Sequence, residues 1–354
     1  MRRHTRDALL LLLLAGGCAH GPAAAGPGPQ VEWPEPPDAP RARLAALFPD
    51  PAAPLPKRSF LRAVLDIVAG VDEADRRREA GSLARPFGIA ALADGSFAVA
   101  DPDAPAVLRI RLATAQGPSQ GDRPNPGSSV ARVACRGREW IAPMSVAESP
   151  DGSLWVADGG AGELVRIAPD GACRAVGAGL LERPTGVVAE ASRVLAVDPP
   201  RHEVVALSQD GAVLGRFGRQ GSGDGELHFP TALARAGDGT LLVVDALNFR
   251  IVRLAPDGAW LGAFGAPGQT GGALARPKGV AVDAEGRIYV SDAQRDAVLV
   301  FSPAGAFEVA LSRGGTEPGR LTMPAGVAVG AGRLYVADSQ NHRVQVFEIL
   351  GGRP

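Results

Sequence analysis

PAGVAVGAGRLYVADSQNHRVQVF, residues 324–347, is the clearest of six imperfect copies of one unit in this chain. Within it, apolar residues run or alternate over 327–329, 333–336 and 344–349, and glycines at 330 and 332 interrupt the first two runs. Short runs with period-two alternation, separated by turn residues, predict three β-strands joined by tight turns.

The six copies share a constant core. Each opens on a proline and has an apolar run that closes on an aspartate 14 or 15 residues later. The prolines are Pro86, Pro143, Pro184, Pro230, Pro277 and Pro324, and the acids are Asp101, Asp158, Asp198, Asp245, Asp292 and Asp338. Because the core is constant while successive prolines lie 41 to 57 residues apart, the pattern predicts one repeated structural unit with insertions confined to loops.

Turn residues extend each unit to four strands. Asp-Gly pairs such as Asp238-Gly239 follow the first strand, and pairs such as Asp257-Gly258 follow the third. These pairs tolerate the positive φ angles of tight hairpins, so both turns join antiparallel neighbours, and a fourth strand follows, as at 259–264. We therefore predict an all-β fold of six four-stranded antiparallel sheets arranged radially around a channel.

The last copy ends after its third strand, so its fourth strand must come from elsewhere in the chain. Residues 62–68, RAVLDIV, form a strand-like run with no unit of their own. We predict that this amino-terminal strand pairs with the carboxy-terminal strand, because an open ring would leave a sheet edge in water.

The motifs resemble those of a known family. Pro-x-Gly-Val-Ala-Val, Tyr-Val-Ala-Asp and Asn-His-Arg-Val within residues 324–344 are similar to the NHL repeat, and Asp245, Asn248 and Arg250 keep the same Asp-x-x-Asn-x-Arg spacing. The resemblance implies a six-bladed β-propeller over residues 59–350. It implies no particular reaction, since NHL-type propellers include RNA-binding modules, protein-interaction modules and a zinc-dependent lyase that cleaves peptidyl hydroxyglycines.

The amino terminus is typical of an exported protein. Residues 1–17 combine arginines, a short apolar run and small residues, as in a secretory signal peptide. Cys18 directly afterwards resembles the lipid-bearing cysteine of a bacterial lipoprotein, and Ala19 favours the outer membrane. The alternative is an ordinary signal peptide that contains a cysteine.

Residues 18–58 are predicted to be an extended tether, because eleven prolines between 19 and 57 and the lack of a sustained apolar period leave little to bury. Residues 41–48 interrupt this composition. We expect them to form one or two helical turns or no regular structure.

The repeated aspartates define the first candidate site. Strand direction places the six proline starts and the six aspartate ends on one side of the ring, which we call the Pro/Asp face. Acids at equivalent positions could face a cation or ligand there. The competing interpretation is structural, because aspartate caps turns by accepting hydrogen bonds from backbone N–H groups.

Three histidines define a second candidate. His202, His228 and His342 are all expected on the Pro/Asp face, and three histidines could hold a zinc ion with one open position. They belong to different units, however, and no HxH or HxxxH spacing brings two together. His342 also occupies the usual histidine of the Asn-His-Arg pattern.

Other chemistries find little support. The net charge is −1, with neither a basic stripe nor interleaved aromatic residues, which argues against nucleic acid. No GxSxG, GxxxxGK[ST] or HExxH motif occurs, so we assign no catalytic residue and no cofactor. Cys135 and Cys173 lie in predicted fourth strands of the first two units, and the sequence leaves open whether they form a disulfide.

Together these features predict a lipid-anchored binding or scaffold module of the cell envelope. We expect an envelope protein or a small ligand as its partner, and contact with the membrane through the lipid anchor only. The alternative is a metal-dependent lyase or hydrolase with its site at the Pro/Asp face.

Overall fold

The structure is a computed structural model that describes residues 31–49, 83–112 and 128–351. These residues form 25 β-strands, β1 to β25 in chain order, and three 3-10 helices, η1 to η3. The strands assemble into six antiparallel sheets, so the predicted all-β architecture is confirmed.

Five sheets are built from four consecutive strands each. Blade 1 contains β3 (Gly88–Ala91), β4 (Phe97–Asp101), β5 (Ala106–Arg111) and β6 (Ser129–Arg132). Blade 2 contains β7 (Pro143–Glu148), β8 (Leu154–Asp158), β9 (Glu163–Ile167) and β10 (Cys173–Val176). Blade 3 contains β11 (Gly186–Ala189), β12 (Arg193–Asp198), β13 (Glu203–Ser208) and β14 (Val213–Phe217). Blade 4 contains β15 (Pro230–Arg235), β16 (Leu241–Asp245), β17 (Arg250–Leu254) and β18 (Trp260–Phe264). Blade 5 contains β19 (Pro277–Val282), β20 (Ile288–Asp292), β21 (Ala297–Phe301) and β22 (Phe307–Leu311).

The sixth sheet joins the two ends of the chain. Blade 6 contains β23 (Pro324–Gly330), β24 (Arg333–Asp338) and β25 (Arg343–Ile349), followed in space by β2 (Ala42–Phe48) and the two-residue β1 (Glu32–Trp33). The 3-10 helices η1 (Pro199–Arg201), η2 (Ala246–Asn248) and η3 (Ser339–Asn341) each connect the second and third strands of a blade.

The first strands of the blades form the inner ring. Each contacts the first strand of the next blade, and β23 contacts β3, so the ring of six is closed. A Cβ atom at Gly88 would lie 2.4 Å from the carbonyl oxygen of Met144, and one at Gly326 would lie 2.3 Å from that of Phe87. The glycine of the Pro-x-Gly motif is therefore required by the close approach of neighbouring strands.

The core consists of six apolar interfaces, one between each pair of adjacent blades. The second strands of the blades are buried along almost their whole length, because neighbouring blades cover both of their faces. Trp155, Tyr335, Tyr289 and Phe97 are the largest buried residues in these strands. Fourth strands such as β14 stay largely exposed at the rim.

An amino-terminal strand does complete the last blade, as predicted, but the assignment of that strand to residues 62–68 is wrong. Ala42–Phe48 pairs antiparallel with β25, and Leu44 lies opposite Phe347. Since β25 has β24 on its other side, no further strand can pair with it. Residues 62–68 lie outside the described part of the chain.

Strand β2 also corrects the expectation for residues 41–48, which form neither helical turns nor an irregular segment. A register shift between Leu44 and Ala46 breaks the alternation of buried and exposed residues, so the sequence lacks the period of a strand. Ala42 packs into the interface of blades 5 and 6, and Phe48 into that of blades 6 and 1. Tertiary packing decides this structure where local propensity does not.

Cys135 and Cys173 form a disulfide with their Cα atoms 5.7 Å apart. Cys173 begins β10, as expected, whereas Cys135 follows β6 and pairs with Arg138 in an isolated bridge. The disulfide links blade 1 to blade 2 at the rim, at the apolar interface that both cysteines join.

Within the described residues, none of the helices has the length and apolar character needed to span a bilayer.

Because β2 closes the ring, we predict that a charge buried in this strand destabilises the whole propeller. Ala42 is 1% exposed, and replacing it with Asp should cost about 3 kcal/mol of unfolding free energy, because the carboxylate would be buried without a partner. Ala45 is exposed in the same strand, so Ala45→Asp is the matched control and should change the free energy by no more than about 0.5 kcal/mol. Chemical denaturation measures both, and equal effects would contradict the pairing.

Candidate binding face

The connectors into the blades and the ends of the second strands lie together. The backbone N–H groups of Ala84 and Arg85, just before the first blade, donate to the Asp101 carboxylate over 2.6 Å and 3.0 Å. The same contact recurs in every blade, so the proline starts and aspartate ends share one side of the ring. This is the Pro/Asp face that strand direction predicts.

All six aspartates are buried, each with an exposed fraction of at most 1%. Asp158 accepts from Ile141 and Ala142, Asp198 from Glu182 and Arg183, Asp245 from His228, Asp292 from Ala275 and Arg276, and Asp338 from Thr322, always from backbone N–H groups. Carboxylates that are buried and hydrogen-bonded in this way hold the connectors in place. They do not present their oxygen atoms to a ligand above the face.

The Asp-x-x-Asn-x-Arg spacing completes this network in blade 4. The Asn248 amide and the Arg250 Nε each donate to Asp245 over 2.8 Å. Arg250 also donates to the carbonyl oxygens of Gly223 and Glu226 in the preceding connector. Blade 6 repeats the arrangement with Asp338, Asn341 and Arg343. The motif therefore fastens a glycine-rich connector to the end of the second strand.

The structure brings two of the three candidate histidines together. The rings of His202 and His228 lie 5.5 Å apart between their centroids, at the boundary of blades 3 and 4. His342 lies at the boundary of blades 6 and 1, where its Nδ1 contacts the carbonyl oxygen of Ala84. Each of His202 and His342 thus joins one blade to the connector of the next.

These contacts assign the ring nitrogens. The Nδ1 of His202 accepts the backbone N–H of Phe229 over 3.0 Å, so in the neutral ring Nε2 carries the proton. The Nδ1 of His342 contacts a carbonyl oxygen, which accepts, so this nitrogen carries its proton. Across residues 31–49, 83–112 and 128–351, no group of three or more His, Cys, Asp or Glu side chains could hold a metal ion.

Exposed apolar side chains lie beside the histidine pair. Phe229 is 40% exposed and Leu247 is 50% exposed, and the Leu247 N–H donates to the carbonyl oxygen of His228 over 3.1 Å. The Phe229 ring packs edge-on against His202, with centroids 6.4 Å apart. We call His202, His228, Phe229 and Leu247 the aromatic patch. Phe229 and Leu247 stay exposed in this patch, whereas the second strands beneath the face are buried between neighbouring blades.

A group of basic residues was missed by sequence reasoning. Arg85 and Arg276 directly precede the prolines of blades 1 and 5, and Lys278 directly follows Pro277. Burial lowers the pKa of Lys278, and the positive charges of Arg276 and Arg85 lower it further. The sequence signal for these residues is the position next to each repeated proline, where a basic residue occurs in only some of the copies.

Comparison with known proteins supports the fold. Residues 321–347 match the sequence model of the NHL repeat. Comparison with the curated proteins gives no match. The structure is that of a six-bladed β-propeller with at least one NHL repeat.

Three solved structures show the same architecture. Virginiamycin B lyase from Staphylococcus aureus has a TM-score of 0.54 and 14% identity, covering 75% of this chain and 96% of that one. A gluconolactonase from Xanthomonas campestris has a TM-score of 0.57 and 18% identity, covering 76% and 87%. An auxiliary nutrient binding protein from Bacteroides thetaiotaomicron has a TM-score of 0.56 and 9% identity, covering 75% and 69%. At these identities the likeness concerns the fold alone.

The structural role of the aspartates can be tested in blade 4. Asp245→Asn keeps the side-chain shape but leaves the guanidinium of Arg250, which is 15% exposed, without its ion-pair partner. We expect a loss of about 3 kcal/mol in unfolding free energy. Asp257→Asn removes a carboxylate that accepts one N–H in an exposed turn, and should cost less than about 1 kcal/mol. Urea denaturation measures the unfolding free energy of both variants. An Asp245→Asn variant as stable as the native protein would show that the buried carboxylate is not structural.

Proposed function

We propose that this protein is a binding or scaffold module that holds a protein or small ligand on the Pro/Asp face. The observation that carries the proposal is the aromatic patch. Phe229 and Leu247 project from a face whose supporting aspartates are all used internally. Aromatic and apolar side chains exposed beside polar groups are typical of interaction surfaces.

We further propose that a lipid on Cys18 anchors the module in the cell envelope, at the outer membrane. The amino-terminal sequence motivates this proposal, and residues 1–30 lie outside the described part of the chain. The Cys135–Cys173 disulfide supports it, because disulfides persist in oxidising compartments such as the periplasm. A module tethered in this way reaches a partner near the membrane through its exposed face.

The metal-dependent enzyme is the competing function. The histidine geometry does not favour it, since His202 and His342 each use Nδ1 to join neighbouring blades. Stoichiometric zinc in the purified protein, lost when His202, His228 and His342 are replaced together, would overturn the binding function in favour of the enzyme.

The partner surface is tested by crosslinking in the native envelope. Phe229→Asn combined with Leu247→Asn removes the apolar part of the patch, and asparagine tolerates the positive φ of 56° at position 229. We expect the crosslinked species identified with the native protein to fall at least about tenfold in yield, since the loss of two apolar contacts is worth a few kcal/mol.

Leu214→Asn combined with Leu261→Asn is the matched control. These leucines are 58% and 57% exposed on the outer strands of blades 3 and 4, away from the Pro/Asp face. The control should give the native yield. If the control lost the crosslink and the patch variant kept it, the partner would bind the rim and the proposal would be wrong.

A further inference from the structure

Two of the boundaries between blades are joined in the same way. The residues directly before the prolines of blades 4 and 6, Phe229 and Met323, have positive φ angles of 56° and 50°. Non-glycine residues rarely adopt this left-handed conformation, so each needs a contact that holds it. The backbone N–H of Phe229 donates to His202 Nδ1 over 3.0 Å, and that of Met323 donates to an Asp296 carboxylate oxygen over 2.7 Å. A side chain of one blade thus holds the residue that precedes the proline of the next.

The two accepting side chains occupy equivalent positions. His202 and Asp296 each lie four residues after the aspartate that ends a second strand. Both have left-handed backbone conformations, with φ angles of 55° and 51°. Each reaches from its own blade to the connector of the next. We call these contacts the His202 joint, between blades 3 and 4, and the Asp296 joint, between blades 5 and 6.

The two joints differ in the chemistry of the acceptor. A neutral imidazole has one nitrogen without a proton, and His202 uses this nitrogen to accept the N–H of Phe229. A protonated imidazole has two N–H groups and no acceptor, so the hydrogen bond is lost when Nδ1 is protonated. Histidine ordinarily changes its charge between about pH 5 and 8, whereas a carboxylate accepts hydrogen bonds throughout that range. Mild acid should therefore break the His202 joint and leave the Asp296 joint intact.

A second histidine adds to the effect. The rings of His202 and His228 lie 5.5 Å apart between their centroids. When both rings are protonated, two positive charges face each other across the boundary of blades 3 and 4, and like charges at this distance repel. The backbone N–H of His228 donates to Asp245 over 2.6 Å, so His228 stays fastened to blade 4. The repulsion therefore acts between the two blades.

The other charged groups around the histidine pair form ion pairs of their own. They are Arg201 with Asp198 and Glu182 on the side of blade 3, Glu203 of β13 with Arg216 of β14, Arg219 with Glu226 in the connector, and Asp245 with Arg250 in blade 4. Asp224, also in the connector, is exposed. Because histidine is the side chain that ordinarily titrates near neutral pH, the change of charge at this boundary comes from His202 and His228.

We propose that the His202 joint is a pH-sensitive switch that regulates the aromatic patch. With His202 neutral, the joint holds Phe229 so that its ring packs against the His202 ring, with centroids 6.4 Å apart. Protonation releases the backbone of Phe229, the patch loses this fixed arrangement, and a partner bound to it dissociates more readily in mild acid. The inference rests on the proposed function, because it takes the aromatic patch as the partner surface.

His342 provides a built-in control. It also lies four residues after an aspartate that ends a second strand, with a φ angle of 54°. Its Nδ1 contacts the carbonyl oxygen of Ala84 and therefore donates. Protonation of the other ring nitrogen leaves this hydrogen bond in place. His342→Asn thus removes a titrating ring from the same face without touching the His202 joint.

Hydrogen exchange of the native protein at about pH 7.5 and about pH 5.5, corrected for the intrinsic pH dependence of amide exchange, tests the joint. Protection of the Phe229 amide should fall at least about tenfold at the lower pH, as expected when one hydrogen bond is lost. Protection of the Met323 amide should change less than about twofold, because its acceptor remains a carboxylate. Equal changes at the two amides, or no change at Phe229, would overturn the proposal.

His202→Asp is the matched variant. It places the acceptor of the Asp296 joint at the equivalent position, so Phe229 should stay protected at both pH values. The His342→Asn control should keep the full difference at Phe229. A pH response that persists in His202→Asp, or one that disappears in His342→Asn, would assign the response to another group and overturn the proposal. The measurement on the native protein does not depend on how either variant folds.

Crosslinking in the native envelope at the same two pH values tests the link to the partner. The yield of the crosslinked species should fall several-fold at the lower pH with the native protein and stay constant with His202→Asp. An equal fall in both proteins would show that acid acts elsewhere than at the joint.

The pH switch and the partner surface fail separately. If Phe229→Asn combined with Leu247→Asn loses the crosslink while protection of the native Phe229 amide does not depend on pH, the binding module stands and the switch falls. If that protection responds to pH as expected while the same double variant keeps its crosslink, the joint stands as a pH-sensitive contact and the aromatic patch is not the partner surface.

Discussion

A buried carboxylate at the end of each second strand is the interaction on which this structure depends. In all six blades it accepts hydrogen bonds from the backbone of the connector that leads into that blade. One group thus fixes both the end of a strand and the path of the preceding connector. Desolvating a carboxylate is costly, and the cost is offset because several donors converge on each one. The same contact, repeated around the ring, aligns the Pro/Asp face.

This use of the aspartates leaves function to the residues around them. The aromatic patch lies at the boundary of blades 3 and 4, beside the proline that opens blade 4 and the aspartate that ends its second strand. Its exposed members, Phe229 and Leu247, occupy positions next to a repeated proline and close to a repeated aspartate, where the fold needs no particular side chain. The buried aspartates recur in every blade because the hydrogen bonds to the connectors require them, whereas the exposed residues beside them can differ between blades.

The fold could be predicted from sequence because it repeats. Six Pro-to-Asp units and their glycine turns are local patterns, so the number of blades and the direction of the strands were within reach. The closing strand Ala42–Phe48 could not be predicted, because a bulge and an Ala- and Leu-rich sequence hide its strand period. Only its pairing with β25 identifies it as a strand. For the candidate site, the histidine pair and the Cys135–Cys173 disulfide depend on side chains from different blades meeting, and spacing along the chain does not report such contacts.

Hydrogen exchange at the connector amides tests the central role of the buried carboxylates most directly. The amides concerned are those of Ala84, Ala142, Arg183, His228, Arg276 and Thr322, which lie in or beside loops yet donate to buried aspartates. If the carboxylates hold the face, these amides exchange as slowly as the amides of the second strands, near the rate of global unfolding. Exchange of these amides at the rates of an unstructured peptide would contradict the account.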